Sequence, residues 1–376
     1  MKSPFIFGKV VTGEHFVNRT KEIDRLQLNF ESGNNSILVS PRRWGKSSLV
    51  KEAVKRLDNK NIKFVFLDIQ TFRDEESFLK NYTQEVIKAT ISKSSEILNT
   101  GKEFFKKLIP RFSFGLDPQS DLSVSFDWKE AVLAKDEILN LPENIASKRN
   151  FKIIVCIDEF QSISKFADYE NLEQELRSYW MHHENVSYCL YGSKRHMMLN
   201  IFNKENRPFY RFGDLILLNK IERKHWINYM VTQFEKTNKI ISEPDANKIA
   251  TLVNDHSYYL QQLANEIWLL TEREVTDQVI EQSLENVMNT NSIFYQETID
   301  NLSNTQVNLL NAIAHKAEHL FSVDTVKEFK LGTPRNISKN KNVLELKDII
   351  HFYSKGQSSF VDPFFEIWFK KVFGIM

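Results

Sequence analysis

Residues 37–49 read Ile-Leu-Val-Ser-Pro-Arg-Arg-Trp-Gly-Lys-Ser-Ser-Leu. An apolar run enters a tight loop, and Gly45-Lys46-Ser47 opens a helical pattern. A helix N-terminus carries free N–H groups and the positive end of a dipole, so it attracts an anion. Gly45 would let the backbone approach phosphate oxygens, Lys46 would bring a mobile charge to the β- and γ-phosphates, and Ser47 would offer a hydroxyl to Mg2+. Ser40, Pro41, Arg42, Arg43, Trp44 and Ser48 complete the candidate nucleotide cradle. Far downstream, residues 151–159 read Phe-Lys-Ile-Ile-Val-Cys-Ile-Asp-Glu, an apolar run ending in two carboxylates. Asp158 would join Ser47 around the metal, and Glu159 would orient or deprotonate an attacking water. Each segment alone has a bland reading, a basic strand–turn–helix or a surface Asp-Glu pair. Together they point to a nucleotide triphosphatase using Mg2+.

The loop departs from G-x-x-x-x-G-K-S/T at its first position, where Ser40 replaces glycine. Serine enters left-handed turns less readily than glycine, so slow turnover is one expectation. A third apolar run, Val186–Tyr191, ends in Gly192-Ser193. Ser193 is a candidate γ-phosphate sensor, with Lys194 and Arg195 beside it; ordinary turn chemistry is the competing reading. Arg207 and Arg211 could present a guanidinium to a γ-phosphate in cis or from a neighbouring subunit, or could be solvated loop arginines.

These residues need a sheet to position them. Ile37–Val39 and Phe151–Ile157 are near-continuous apolar runs, as strands buried on both faces require. Leu49, Val50, Ala53, Val54 and Leu57 give the loop's following helix an apolar face. The expected fold class is α/β: a parallel P-loop sheet with helices on both faces, then a helical lid and a winged helix-turn-helix. A second strand is expected over 63–68, a helix over 75–107, and a surface hairpin insertion over 108–127 ahead of a helix near 128–140. Helical patterns follow at 222–236, 244–254, 258–273 and 275–289, and then at 303–316, 322–330 and 333–346 before a hairpin around Lys355-Gly356. The expected domains are 1–217 (ATPase), 218–298 (lid) and 299–376 (winged helix). The third winged-helix helix carries Arg335, Lys339, Lys341 and Lys347, which could meet DNA. A protein-docking winged helix is the alternative.

At these residues the chain resembles the archaeal-type ATPases, P-loop proteins near the AAA+ and STAND classes. Pro41-Arg42-Arg43-Trp44-Gly45-Lys46-Ser47 is similar to that family's G-P-R-R-x-G-K-T/S loop in all but the first glycine. Phe16-Val17-Asn18-Arg19 with Glu22 and Leu26 resembles its N-terminal element, which implies that Arg19 lies near the nucleotide base. Asp158-Glu159-Phe160-Gln161 resembles its acidic motif, Gly192-Ser193 its sensor, and Tyr258–Leu263 its lid segment, without the usual glycine and proline. Asp362-Pro363-Phe364-Phe365 with Trp368 resembles the end of its winged helix. Some members continue into a nuclease-like domain; here any such effector is expected to be a separate protein.

Composition sets the remaining bounds. Lys and Arg total 50 against 49 Asp and Glu, so global charge demands neither nucleic acid nor an acidic membrane. Two cysteines, Cys156 and Cys189, form no disulfide framework and suit a reducing cytoplasm. Met-Lys-Ser-Pro-Phe has no signal core, and no apolar stretch reaches a membrane-spanning length. The leading expectation is an ATPase acting as a conformational switch on a protein or DNA partner, with homo-oligomerisation open. The alternatives are a nucleotide-gated DNA-binding regulator or defence-related protein, and a non-hydrolysing ATP-binding scaffold.

Overall fold

The computed structural model describes residues 2–90, 113–116, 122–125, 135–353 and 357–375. Among these residues the chain forms two compact units, Val10–Asn219, and Met1–Lys9 with Lys220–Met376.

The first unit is built on a five-stranded parallel sheet of order β2-β5-β6-β1-β7. Its strands are β1 (Ser36–Val39), β2 (Ile62–Asp68), β5 (Lys152–Asp158), β6 (Val186–Gly192) and β7 (Asp214–Leu217). A separate antiparallel pair, β3 (Ser113–Leu116) with β4 (Leu122–Ser125), lies within the expected hairpin insertion. The rest of that insertion, and residues 91–107 of the expected helix, lie outside the described residues.

The apolar runs become central strands because both faces are covered. Side chains alternate across a strand, and Ile37, Val39, Val155 and Ile157 enter one core with Phe78, Tyr82, Leu176 and Phe202. Leu38, Ile154, Cys156 and Cys189 enter the opposite core with Leu26, Phe30, Leu49 and Val50. Each fully buried side chain of this size contributes about 1.5–3 kcal/mol. Parallel pairing aligns the carboxyl ends: Val39 pairs with Gly192, and Asp68 with Asp158. Strand β6 therefore runs between the loop strand β1 and the acid strand β5, and presents Ser193 just past its end.

In the second unit, helices span Arg223–Glu235, Glu243–Leu252, Ser257–Leu270 and Asp277–Asp300. The last is longer than its sequence pattern suggested. Phe5 is buried here, its ring 5.9 Å from Tyr229 and 5.4 Å from Phe234, so the N-terminal residues join this unit rather than the sheet. Three helices, Asn304–Ala314, Val323–Glu328 and Pro334–Leu346, precede the hairpin of β8 (Ile350–Phe352) and β9 (Ser358–Phe360). That order is a winged helix. Helix Pro363–Val372 closes it, capped by Asp362, whose Oδ1 accepts from the N–H groups of Phe364 and Phe365 at 2.8 and 3.1 Å. No described helix is long and apolar enough to cross a membrane.

Candidate active site

The loop after β1 carries its left-handed turns at Arg43 (φ 63°) and Gly45 (φ 92°), immediately before helix Lys46–Arg56. Ser40 is not among the left-handed residues. It is buried, its N–H donates to Gly192 O at 3.3 Å, and its hydroxyl donates to Pro41 O at 3.0 Å. The missing glycine therefore costs no backbone strain, contrary to the expectation drawn from the motif. Arg42 and Arg43 are exposed, while Pro41 and Trp44 are half-buried.

Two residue pairs far apart in sequence, Lys46-Ser47 and Asp158-Glu159, converge at the sheet's carboxyl end, where open α/β sheets bind ligands. Lys46 Nζ donates to Glu159 Oε1 at 2.6 Å and lies 3.6 Å from Asp158 Oδ1. Ser47 Oγ donates to Asp158 Oδ2 at 2.6 Å. Glu159 takes a left-handed conformation (φ 50°), and its N–H donates to Asp158 Oδ1 at 2.8 Å. A non-glycine residue there is strained by on the order of 1 kcal/mol, a cost typical of functional sites. Its Oε2 accepts from Gln161 Nε2 at 2.5 Å and Ser193 Oγ at 2.8 Å.

The two acids are driven apart electrostatically. Burial raises the Asp158 carboxyl above its ordinary range; the neighbouring Glu159 charge adds to this, and Lys46 and Ser47 offset it only partly. Burial also works to raise Glu159, as the largest single influence. The Lys46 charge with the hydrogen bonds from Lys46, Gln161 and Ser193 outweighs it, so Glu159 lies below the usual carboxylate range. Ser47 and Asp158 supply adjacent hard oxygen donors, which fit Mg2+, an ion that keeps several waters and needs few protein ligands. Among the described residues no cluster of three or more His, Cys, Asp or Glu forms a fuller metal cage.

The other candidates are distributed unevenly. Arg19 is buried at φ 72°; its guanidinium donates to Trp44 O at 3.4 Å and pairs with Glu22 at 3.3 Å. It braces the loop's backbone. Ser48 Oγ accepts from Val11 N–H at 3.0 Å, tying the N-terminal segment to the loop helix. Arg207 pairs with the buried Glu173 at 2.6 Å, and its guanidinium lies 5.6 Å from the ring centre of Tyr169. Arg211 is exposed, with its guanidinium 5.1 Å from the ring centre of Tyr210, and takes no part in the cluster's hydrogen bonds. Lys194 and Arg195 begin helix Arg195–Asn203. In the winged helix Arg335 and Lys339 are exposed, whereas Lys341 is half-buried with Nζ 4.6 Å from the Phe352 ring centre.

Two contributions escaped sequence reasoning. Gln161 was placed in the acidic motif, but its hydrogen bond to Glu159 depends on a turn that strand periodicity does not encode. Glu52, buried on the loop helix, accepts from Gly13 N–H and Arg56 Nε, both at 2.7 Å. The available signal was an acid beside Leu49, Val50 and Ala53 in an otherwise apolar stripe.

Residues 16–263 match the model of an ATPase domain found predominantly in Archaea, and residues 293–371 match a probable winged helix domain. Solved structures share the fold along nearly the whole chain. A Walker-type ATPase of Pyrococcus abyssi is 16% identical, with a TM-score of 0.66, covering 98% of this chain and 99% of that one. The ORC2 protein of Aeropyrum pernix, solved with ADPNP and ADP, is 13% identical with a TM-score of 0.58, covering 96% of each chain. The ORC1 protein of the same organism, solved with DNA, is 13% identical with a TM-score of 0.50, covering 97% of this chain and 96% of that one. A search of curated proteins found no match. The family model covers well over half of the chain, and on that basis the protein belongs to the family of P-loop ATPases found predominantly in Archaea.

Proposed function

We propose that the protein hydrolyses ATP with Mg2+ and uses the nucleotide state as a conformational switch. The observation that carries this reading is the convergence of Lys46, Ser47, Asp158 and Glu159 at one sheet end. Lys46 and the N–H groups of the 40–47 loop would neutralise the triphosphate. Ser47 and Asp158 would hold Mg2+, which supplies charge neutralisation at the β- and γ-phosphates. To meet a phosphate, Lys46 must give up its bond to Glu159, which frees Oε1 as a proton acceptor. Water oxygen then bonds to the γ-phosphorus as the bond to the β–γ bridging oxygen breaks. The electron pair leaves with ADP, and the water proton passes to Glu159. Ser193 would report the γ-phosphate, and Arg211 remains the candidate finger because its guanidinium is exposed. Arg42, Arg43 and Arg19 would serve the cradle, and residues 218–298 would act as its lid. Coupling would run through that lid and the winged helix to a protein or DNA partner, in a cytoplasmic setting.

The test compares wild type with Lys46→Ala and Glu159→Gln for Mg2+-dependent ATP binding and phosphate release. The reading expects both variants to lose turnover and only Glu159→Gln to keep binding. Normal hydrolysis by Glu159→Gln would remove Glu159 as the base. Binding without turnover in wild type would favour the scaffold reading.

A second reading, a nucleotide-gated DNA-binding regulator, draws support from the exposed Arg335 and Lys339 on the winged helix and from the DNA complex of the ORC1 neighbour. It expects salt-sensitive duplex binding that weakens when Arg335 and Lys339 are neutralised. Binding unchanged by those substitutions would exclude it.

A further inference from the structure

The two oxygens of Glu159 have different partners. Among the described residues Oε1 meets only the ammonium of Lys46, while Oε2 is held by two neutral donors, Gln161 Nε2 and Ser193 Oγ. Those donors are anchored in the fold. Gln161 is 2% exposed and lies in the 3-10 turn Phe160–Lys165, and Ser193 is 4% exposed at the end of β6. Lys46 can leave for another anion, whereas Gln161 and Ser193 would have to be unpacked to let go.

Gly192 makes the arrangement possible. A Cβ built at Gly192 would lie 2.0 Å from Gln161 Oε1 and 2.7 Å from Met198 Sδ. The backbone there is not left-handed, so glycine serves space rather than conformation. The far end of Gln161 fills that space, and its Oε1 is buried without a hydrogen-bond partner among the described residues. Leaving a buried carbonyl unpaired costs about 1–3 kcal/mol, an expense that placing Nε2 against Glu159 accounts for.

We propose that Gln161, seated in the space left by Gly192 and assisted by Ser193, is a positioning residue that fixes Oε2 of Glu159 so that Oε1 alone is presented to the attacking water. This rests on the reading of Glu159 as the base. In this proposal Gln161 acts through Glu159, to which its Nε2 donates, and not on the nucleotide. It sets the direction of the carboxylate, and errors of about 1 Å in such placement cost on the order of a hundredfold in rate.

The test measures steady-state ATP hydrolysis by Gln161→Met, which keeps the length and removes the donor, and by Ser193→Ala, the milder change. Gln161→Met is also made in a Glu159→Gln background. The expected result for Gln161→Met is a fall in kcat of at least about tenfold with KM for ATP within about twofold, and a smaller fall for Ser193→Ala. Gln161→Met should not slow the residual turnover of the Glu159→Gln enzyme further, because a residue acting through Glu159 has nothing left to position. A purely structural role would raise KM, or slow the Glu159→Gln background as much as wild type, and would overturn the proposal. Wild-type kcat in both single variants, with Glu159→Gln inactive, would overturn the positioning role and leave the base assignment standing. A fully active Glu159→Gln would remove both.

Discussion

Lys46 Nζ lies 2.6 Å from Glu159 Oε1 and 3.6 Å from Asp158 Oδ1, so the loop's ammonium serves both acids of the second motif. Removing it leaves the buried Glu159 and the half-buried Asp158 without their cation. Lys46→Ala should therefore lower fold stability by about 3 kcal/mol at neutral pH, besides weakening triphosphate binding. Urea unfolding checks this, and an unchanged midpoint would mean that the acids find other partners.

Asp158 contributes in the opposite direction. Its carboxyl is raised in the fold, chiefly by burial, so the stability linked to it is full below the unfolded carboxylate range and is lost as pH rises through the folded value. Asp158→Asn should raise the melting temperature at pH near 7 and should show no gain in acid, where Asp158 is itself neutral. It should also remove the response to Mg2+. Thermal melts at the two pH values decide the first point, and phosphate release against Mg2+ concentration the second.

Ser40→Gly restores the ordinary loop motif but relieves nothing, because Ser40 is not left-handed and its hydroxyl is bonded to Pro41 O. Turnover should stay within about threefold of wild type and stability should fall by about 0.5–1 kcal/mol from added backbone freedom. A large acceleration would mean that Ser40 limits the reaction in some other way.

Glu52→Ala leaves the Gly13 N–H and the Arg56 guanidinium without their acceptor. The expected loss is about 1–3 kcal/mol, with faster amide exchange at Gly13 and Val11 than elsewhere in the unit. Uniform acceleration across the sheet would instead indicate global destabilisation.

His183 is lowered from 6.5 to about 4, mainly by burial, with its ring nitrogens meeting Tyr188 Oη at 2.8 Å and Asn140 Oδ1 at 3.3 Å. Its folded value lies below its unfolded one. Its contribution is therefore full above the unfolded value and declines as pH falls from 6.5 to about 4, by about 3 kcal/mol at most. His183→Gln should flatten that part of the stability–pH curve; an unchanged slope would show that other groups produce it.

The nucleotide-binding fold was legible because it is local and periodic. The runs Ile37–Val39 and Ile153–Ile157 could be read as buried parallel strands, and Gly45-Lys46-Ser47 as the start of a helix, before any contact was known. Asp158 and Glu159 followed from their place at a strand end. The winged helix was legible for the same reason, as three helical stretches ahead of a hairpin, the third starting at Thr333-Pro334, where Thr333 is its N-cap.

Other features depend on strand order and on backbone conformation, which periodicity does not carry. That β6 separates β1 from β5 is a matter of non-local pairing, and it brings Ser193 to Glu159. Arg207 carried the same sequence signal as Arg211, yet only packing gives it the buried Glu173 as partner. Ser40 looked strained as a motif letter, but the turn takes its left-handed residues at Arg43 and Gly45. Residue types and their spacing by themselves determined the fold class and singled out candidate groups for a triphosphate. The tertiary structure decided which of them meet, because contacts between distant segments are selected by burial and space, as with Gln161 beside Gly192.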